Sequence, residues 1–396
     1  MLRIYLLEWL SLSLKFFHII VGIAWIGASF YFNWLENKLN RVGNRDGIAG
    51  HLWAVHGGGF YYLEKYKKYP KDLPEPLHWF KWEAYFTWIS GALLLAVIYY
   101  LNASSQLLLP GSDLSSYAAI LLSISGLVSI WIIYDLLCKS VLVDRPVIFI
   151  LIMLICVTLS AYLYSCVFNP RAVYMQLGSM LGTIMAANVF FVIIPVQKVL
   201  VKACQDKTDV NPELGAKGYI RSRHNNYITL PVLFTMISGH YPIVYSSSYS
   251  WLVLLAVFVI SVMIRHYFNL RGIGQAKNSL IGLVVVALLS LIVYLAPVNN
   301  EQDTDTDTDT DVTITKVQEI IYKRCVSCHS SKPTDDTFVV PPGGLLLDTV
   351  ELIKLNKDKI YQNVVATRYM PLNNKTNMTD KERGQIYSWF SNKDDE

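Results

Sequence analysis

Pro146–Val167, PVIFILIMLICVTLSAYLYSCV, runs for 22 residues without a charged side chain. A helix rising about 1.5 Å per residue needs about 20 apolar residues to cross roughly 30 Å of hydrocarbon. In lipid every backbone polar group has to be bonded within its own segment, so such a run is read as a membrane-spanning helix. Comparable runs lie near 9–33, 79–101, 115–138, 173–196, 225–246, 250–268 and 278–297, which makes about eight spans. The composition agrees, since 53% hydrophobic against 16% charged is too apolar for an ordinary soluble fold. The expected fold class is all-α, a polytopic membrane helix bundle followed by a smaller unit.

Charge orders the connections. Lys38, Arg41, Arg45, Lys65, Lys67, Lys68 and Lys71 follow the first span, and Lys139 and Arg145 follow the third. Lys198, Lys202, Lys207, Lys217, Arg221 and Arg223 follow the fifth, and Arg271 and Lys277 the seventh, while the alternate loops hold only Arg171. Because Lys and Arg accumulate in cytoplasmic loops, both termini are expected on the outer face. Arg3 with the apolar stretch after it lacks a small-residue cleavage signal, and Lys15 interrupts the run, so it reads as a retained first helix. The expected setting is a bacterial inner membrane, multi-pass, with the tail in the periplasm.

The composition changes near residue 298, splitting the net charge into +9 before and −5 after. Three segments follow: an integral membrane domain over 1–298, an acidic linker over 299–312 and a tail domain over 313–396. The Asp-Thr repeat of the linker is low in complexity and cannot bury a core. It lacks the glycines and spaced ligands of a calcium loop, so it reads as a solvated tether. A module of about 80 residues usually needs a staple. Cys325-Val326-Ser327-Cys328-His329 supplies one, the C-x-x-C-H pattern in which two thiols hold haem covalently and the histidine ligates iron. A zinc or redox pair is the alternative reading. Met370, before Pro371, is the expected second axial ligand, with Met378 the competitor. Thr379 and Glu382 have the spacing of a capping box at the start of a closing helix. Cys138, Cys156, Cys166 and Cys204 stand singly in or beside apolar stretches and read as packing.

Ionisable groups at membrane depth are functional hypotheses by default. His18 and His240 fall in the outer halves of their spans at a similar depth. Two histidines on different helices have the donors for a haem b, with Trp25 on the His18 face against its ring. The bland alternative is that each histidine bonds a neighbouring carbonyl. His51, His56, His78, His224 and His266 lie at or beyond the opposite ends. Arg221, Arg223, His224, Asn225 and Asn226 cluster at the start of the sixth span, and His56-Gly57-Gly58-Gly59 offers backbone that a ligand can approach closely. On a helix, His51 and His56 would point about 140° apart, which disfavours a helical metal pair.

Taken together, these motifs resemble the bacterial membrane-bound urate oxidases, in which an integral membrane domain is fused to a C-terminal cytochrome c domain. The residues carrying the likeness are Phe17-His18-Ile19-Ile20, Trp25-Ile26-Gly27, the His51 to Tyr61 stretch, Ala187-Asn188-Val189-Phe190-Phe191 and Arg221 to Tyr227. Gly239-His240-Tyr241-Pro242, Arg265-His266-Tyr267-Phe268-Asn269 and Met370-Pro371-Leu372 add to it. The resemblance implies oxidation of urate on the cytoplasmic side. Electrons would pass to the chain's own periplasmic haem c, and on to a periplasmic cytochrome or terminal oxidase. The expected partners are urate, the lipid bilayer and that acceptor, with no nucleic acid. Within the membrane domain the expected roles are His224 as proton acceptor, Arg223 and Asn226 as substrate contacts, and His56 as a further polar contact. Two other functions compete: a membrane-anchored cytochrome c that only carries electrons, and a quinol to cytochrome c oxidoreductase.

Overall fold

A computed structural model describes residues 2–109, 112–209, 211–245, 247, 249–296, 312–335, 338 and 341–391 of the 396-residue chain. Thirteen α-helices and one two-stranded sheet are found among the described residues. The first nine helices are α1 (Leu2–Lys38), α2 (Trp82–Leu95), α3 (Ser116–Lys139), α4 (Pro146–Ser165), α5 (Pro170–Ala187), α6 (Ile194–Asp206), α7 (Pro212–Ser238), α8 (Ser250–Gly272) and α9 (Asn278–Tyr294). Among the described residues six helical stretches are long and apolar enough to cross a membrane. They are Tyr5–Lys38, Trp82–Tyr100, Ser116–Lys139, Pro146–Ser165, Pro170–Asp206 and Ser250–Gly272. Of the eight expected spans, the remaining two correspond to α9, which is short at 17 residues, and α7, which carries Lys217, Arg221, Arg223 and two asparagines. The acidic linker expected at 299–312 lies outside the described residues except for Val312, which packs into the tail core.

Helix α5 is the axis of the bundle and touches α2, α3, α4, α7 and α8. Small residues let its neighbours approach, as is usual where lipid offers no hydrophobic drive for association. A Cβ on Gly178 would stand 1.9 Å from Thr235 Oγ1 of α7, and one on Gly126 of α3 would stand 1.8 Å from the Tyr164 hydroxyl of α4. Helices α5 and α6 form one continuous rod, interrupted by a widened π turn at Asn188–Ile193. Pro195 explains the interruption, because its ring would clash with the carbonyl four residues earlier in a regular helix.

One element departs from the all-α expectation. Ile48–His56 (β1) and Gly59–Tyr66 (β2) form an antiparallel hairpin after α1. Its turn places Gly57 at φ 57° and Gly58 at φ 79°. Two successive left-handed residues make the turn that matches strand twist, which is why glycines stand there. The Gly-Gly-Gly run is therefore hairpin chemistry, and His51 and His56 sit on a strand. Their odd spacing places them on the same helical-independent period of two as alternate faces, so they point apart here as well.

In the tail, α10 (Ile314–Arg324), α11 (Val350–Leu355), α12 (Lys357–Ile360) and α13 (Asp380–Ser391) enclose Val317, Ile321, Ile353, Ile386 and Trp389. The capping box forms as expected: Thr379 N–H donates to Glu382 Oε2 at 2.7 Å, and Glu382 N–H to Thr379 Oγ1 at 3.2 Å. Arg324 at the end of α10 pairs with Glu382 at 2.9 Å, joining the first and last tail helices. The tail meets the bundle where the Tyr369 and Tyr245 rings cross edge to face at 5.4 Å.

Two outcomes follow. Gly178→Ala should cost about 1–3 kcal/mol through overpacking, whereas Gly182→Ala, with nothing within 4 Å, should not destabilise; thermal midpoints in detergent compare them. Burial pushes the Glu382 carboxyl up, but the Thr379 N–H and the Arg324 guanidinium more than reverse this, holding it below the usual carboxylate range. Its stabilising contribution is complete above the unfolded carboxyl's pKa of about 4.3 and is lost as pH falls through the lower folded value. Tail stability measured against pH should therefore drop in that acid window, and Glu382→Gln should flatten the drop.

Candidate functional site

Helix α7 carries the polar residues, and its two faces bond to different partners. On one face Arg221 donates to Asp135 Oδ1 of α3 at 2.6 Å, with side chains only 6% and 16% exposed. A second Arg221 nitrogen donates to Asn188 Oδ1 at 3.1 Å. The Asn188 amide in turn donates to the Tyr134 hydroxyl at 3.0 Å and to Asn225 Oδ1 at 2.8 Å. Tyr134 Oη lies 2.9 Å from His224 Nδ1, and the His224 ring stacks on Phe149 at 4.9 Å. Asn188 opens the π turn, so the widened backbone aims its amide at both helices; π turns recur at functional sites for this reason. Every member is bonded to another helix, as buried polar groups require.

Asn226 faces the other way. Its Oδ1 accepts from Arg265 Nε at 2.8 Å and from Asn269 Nδ2 at 3.0 Å, while Asn33 of α1 donates to Asn269 at 3.1 Å. The Arg265 guanidinium lies over the Phe30 ring at 3.9 Å. Asn226 is 2% exposed, yet its Nδ2 has no hydrogen-bond partner among the described residues. His224 and Asn226 are two residues apart, about 200° on a helix, so the expected single cluster divides into two. Arg223 does not join either part; it is exposed beside the Tyr219 ring. His56 is exposed at the hairpin tip, paired in register with Gly59. His51 bonds Asn44, His266 bonds Tyr227, and His78 packs against Phe80.

A cavity of about 290 Å³ lies beyond this network, lined by His18, Gly22 and Trp25 of α1, Gly91 of α2, Met185 of α5 and His240. It adjoins the network directly, because the Met185 carbonyl accepts from Asn225 Nδ2 at 2.9 Å. His18 Nδ1 lies 2.9 Å from Ser90 Oγ, whose own hydrogen goes to the Phe86 carbonyl. Ser90 therefore accepts from Nδ1–H, which leaves the His18 Nε2 lone pair for a ligand. A Cβ on Gly91 would come within 3.1 Å of the His18 ring, whereas Gly22 and Gly182 border open space.

The second cavity, of about 930 Å³, lies where the tail meets the bundle, and Cys325, Cys328, His329 and Met370 all line it. His329 Nδ1 donates to the Leu345 carbonyl at 3.2 Å, which again leaves Nε2 available. Leu345 follows the Pro341-Pro342-Gly343-Gly344 stretch, whose Gly343 and Gly344 adopt left-handed φ values. Burial pushes the Cys325 thiol up to about 12, raises that of Cys328 and lowers the His329 imidazole, so all three are neutral near pH 7. Met378 points away into the tail core, 4% exposed, leaving Met370 the methionine on this cavity. Among the described residues no three His, Cys, Asp or Glu side chains gather as a metal site. One histidine, one thioether and two thiols are instead the donor set of a covalently held haem.

Sequence reading missed Asp135 and Tyr134. Asp135 was visible as one of two carboxylates inside the expected apolar spans, with Glu83, a signal that should have named it. Asp135→Asn should destabilise by about 3–5 kcal/mol, since it leaves the Arg221 charge buried without its counter-charge. Adding Arg221→Met should recover much of that loss in denaturation midpoints; an additive double variant would argue against the coupling.

The family model described as the N-terminal part of urate oxidase matches residues 4–296. No curated protein and no solved structure matches the chain. The matched region spans α1 to α9 and holds both α7 faces and the inner cavity, so the chain belongs to the urate oxidase N-terminal family.

Proposed function

We propose that the chain is a membrane-bound oxidoreductase that oxidises urate at the basic, cytoplasmic end of its bundle and delivers the electrons to a haem c on its periplasmic tail. The observation that carries this reading is the placement of the two cavities. One adjoins the α7 network through Met185 and Asn225, and the other gathers Cys325, Cys328, His329 and Met370 on the tail side of the bundle, past Tyr99 and Arg171.

Urate is an anion at neutral pH, and the end of the bundle carrying Lys38, Lys139, Lys202, Arg223 and Arg271 draws it by its field. Of the four expected contacts, the one proposed to meet it at the reacting atom is His224, because Asn226 faces the other side of α7 toward Arg265 and Asn269. His224 is the proton acceptor, with Nδ1–H donated to Tyr134 so that Nε2 keeps its lone pair. The Tyr134 oxygen has room for that donor and for Asn188. Urate and water yield the hydroxylated product, two protons and two electrons. Arg223 and His56 are exposed, so their contribution is to capture substrate at the mouth.

Cys325, Cys328, His329 and Met370 would hold a haem c, which would supply one-electron acceptance at high potential. A haem b between His18 and His240 would relay electrons across the bundle, and Ser90 would hold the His18 ring in its ligating tautomer. The same small, mostly apolar cavity favours a second reading, in which its histidines bond a quinol head group and quinol is the donor.

Purified protein mixed anaerobically with urate or with a quinol separates these readings by which one reduces the c-type band; reduction by quinol alone would remove urate as substrate. His224→Ala should lower urate turnover by about 10²–10⁴-fold while leaving the c-type spectrum intact. A membrane domain without a b-type band would exclude the inner haem.

A further inference from the structure

Arg171 at the start of α5 stands on the wall of the tail cavity, where no acidic side chain is found among the described lining residues. Its guanidinium lies among the hydroxyls of Tyr99, Tyr245 and Tyr369. Among the described residues no Asp or Glu pairs with it, and Lys15 is near enough to feel its charge. Arg171 Nε and the hydroxyls of Tyr99 and Tyr245 are buried without a hydrogen-bond partner, although the Tyr369 hydroxyl lies close to Arg171 and to Tyr245. The other cations on the same cavity are answered: Arg324 by Glu382 and Lys375 by Asp335. A buried arginine with unmet donors around it costs free energy unless an anion completes the group.

We infer that Arg171, Tyr99 and Tyr245 of the bundle, with Tyr369 of the tail, form a carboxylate-binding site that holds the propionates of the tail haem. This inference rests on the proposed haem c. A planar guanidinium suits a carboxylate in bidentate fashion, and three phenols can complete the donor set. Three of the four residues belong to the bundle, so the membrane domain builds part of the tail's cofactor pocket. A cofactor held there would fasten the tail to the bundle beside Tyr99, which also lines the inner cavity. Haem carboxylates in the inner cavity would present the same chemistry from the other side. Arg171 lines the tail cavity, which favours the tail haem as the source.

The test uses full-length protein in detergent, with Arg171→Gln, Arg171→Lys and Tyr99→Phe beside the unaltered chain. Covalent haem is scored by the pyridine haemochrome spectrum, and midpoint potentials by redox titration at the c-type and b-type bands. Loss of the guanidinium leaves propionate charge uncompensated, which favours the oxidised iron. The c-type midpoint should fall in Arg171→Gln, fall less in Arg171→Lys, and the tail should be released faster by limited proteolysis while the covalent haem content stays unchanged. An unchanged c-type midpoint with full haem content in Arg171→Gln would overturn the inference and leave haem c standing. A shift confined to the b-type band would assign the site to the inner cavity and overturn it too. An unaltered chain without covalent haem would defeat the proposed function itself, and this inference with it. If Arg171→Gln fails to accumulate, Tyr99→Phe decides by the same two readouts.

Discussion

Everything in the bundle depends on a charge that hydrocarbon cannot hold alone. Arg221 sits 5% exposed in the middle of α7, and it is tolerable only because Asp135 of α3 answers its charge and Asn188 takes its second nitrogen. That demand fixes which faces of α3, α5 and α7 meet. The rod of α5 and α6 widens at Asn188 because Pro195 would clash in a regular turn, and the widened turn presents Asn188 to Arg221. α7 is too polar to stand in lipid by itself and is enclosed by neighbours on both faces.

Three polar stations follow one another along the molecule. The His224 network comes first, the cavity between His18 and His240 second, and the cavity of Cys325, Cys328, His329 and Met370 third. Helix rise puts about 20 Å between His224 and the end of α7, beside which His240 lies. A one-step transfer over the whole bundle is thus a poor design, and the inner cavity stands where a relay would be placed. Both histidines proposed as haem ligands share one device: Nδ1 is tied to an oxygen, Ser90 for His18 and Leu345 for His329, so Nε2 is presented.

Apolar run length and capping-box spacing are local signals, which is why six of the expected spans and the capping box at Thr379 were legible from sequence. Met370 lies on the tail cavity and Met378 in the tail core, a difference that the proline-anchored loop of Met370 already suggested. Cross-helix pairing is not local. Nothing near Arg221 says that Asp135 will meet it, and two adjacent asparagines read alike although Asn225 and Asn226 face different helices. The Gly-Gly-Gly run suggested ligand approach, but its φ values serve a hairpin turn. Arg171 looked like a stray positive charge in an otherwise uncharged loop, and its meaning appeared only with Tyr99, Tyr245 and Tyr369 around it.

The central claim is that substrate and final haem lie on opposite sides of the lipid with the electrons crossing through the chain. Reconstitution in sealed, oriented vesicles with urate supplied on one side at a time tests it most directly. The account requires the c-type band to be reduced only when urate is on the side away from the tail. Equal reduction from the tail side would contradict it.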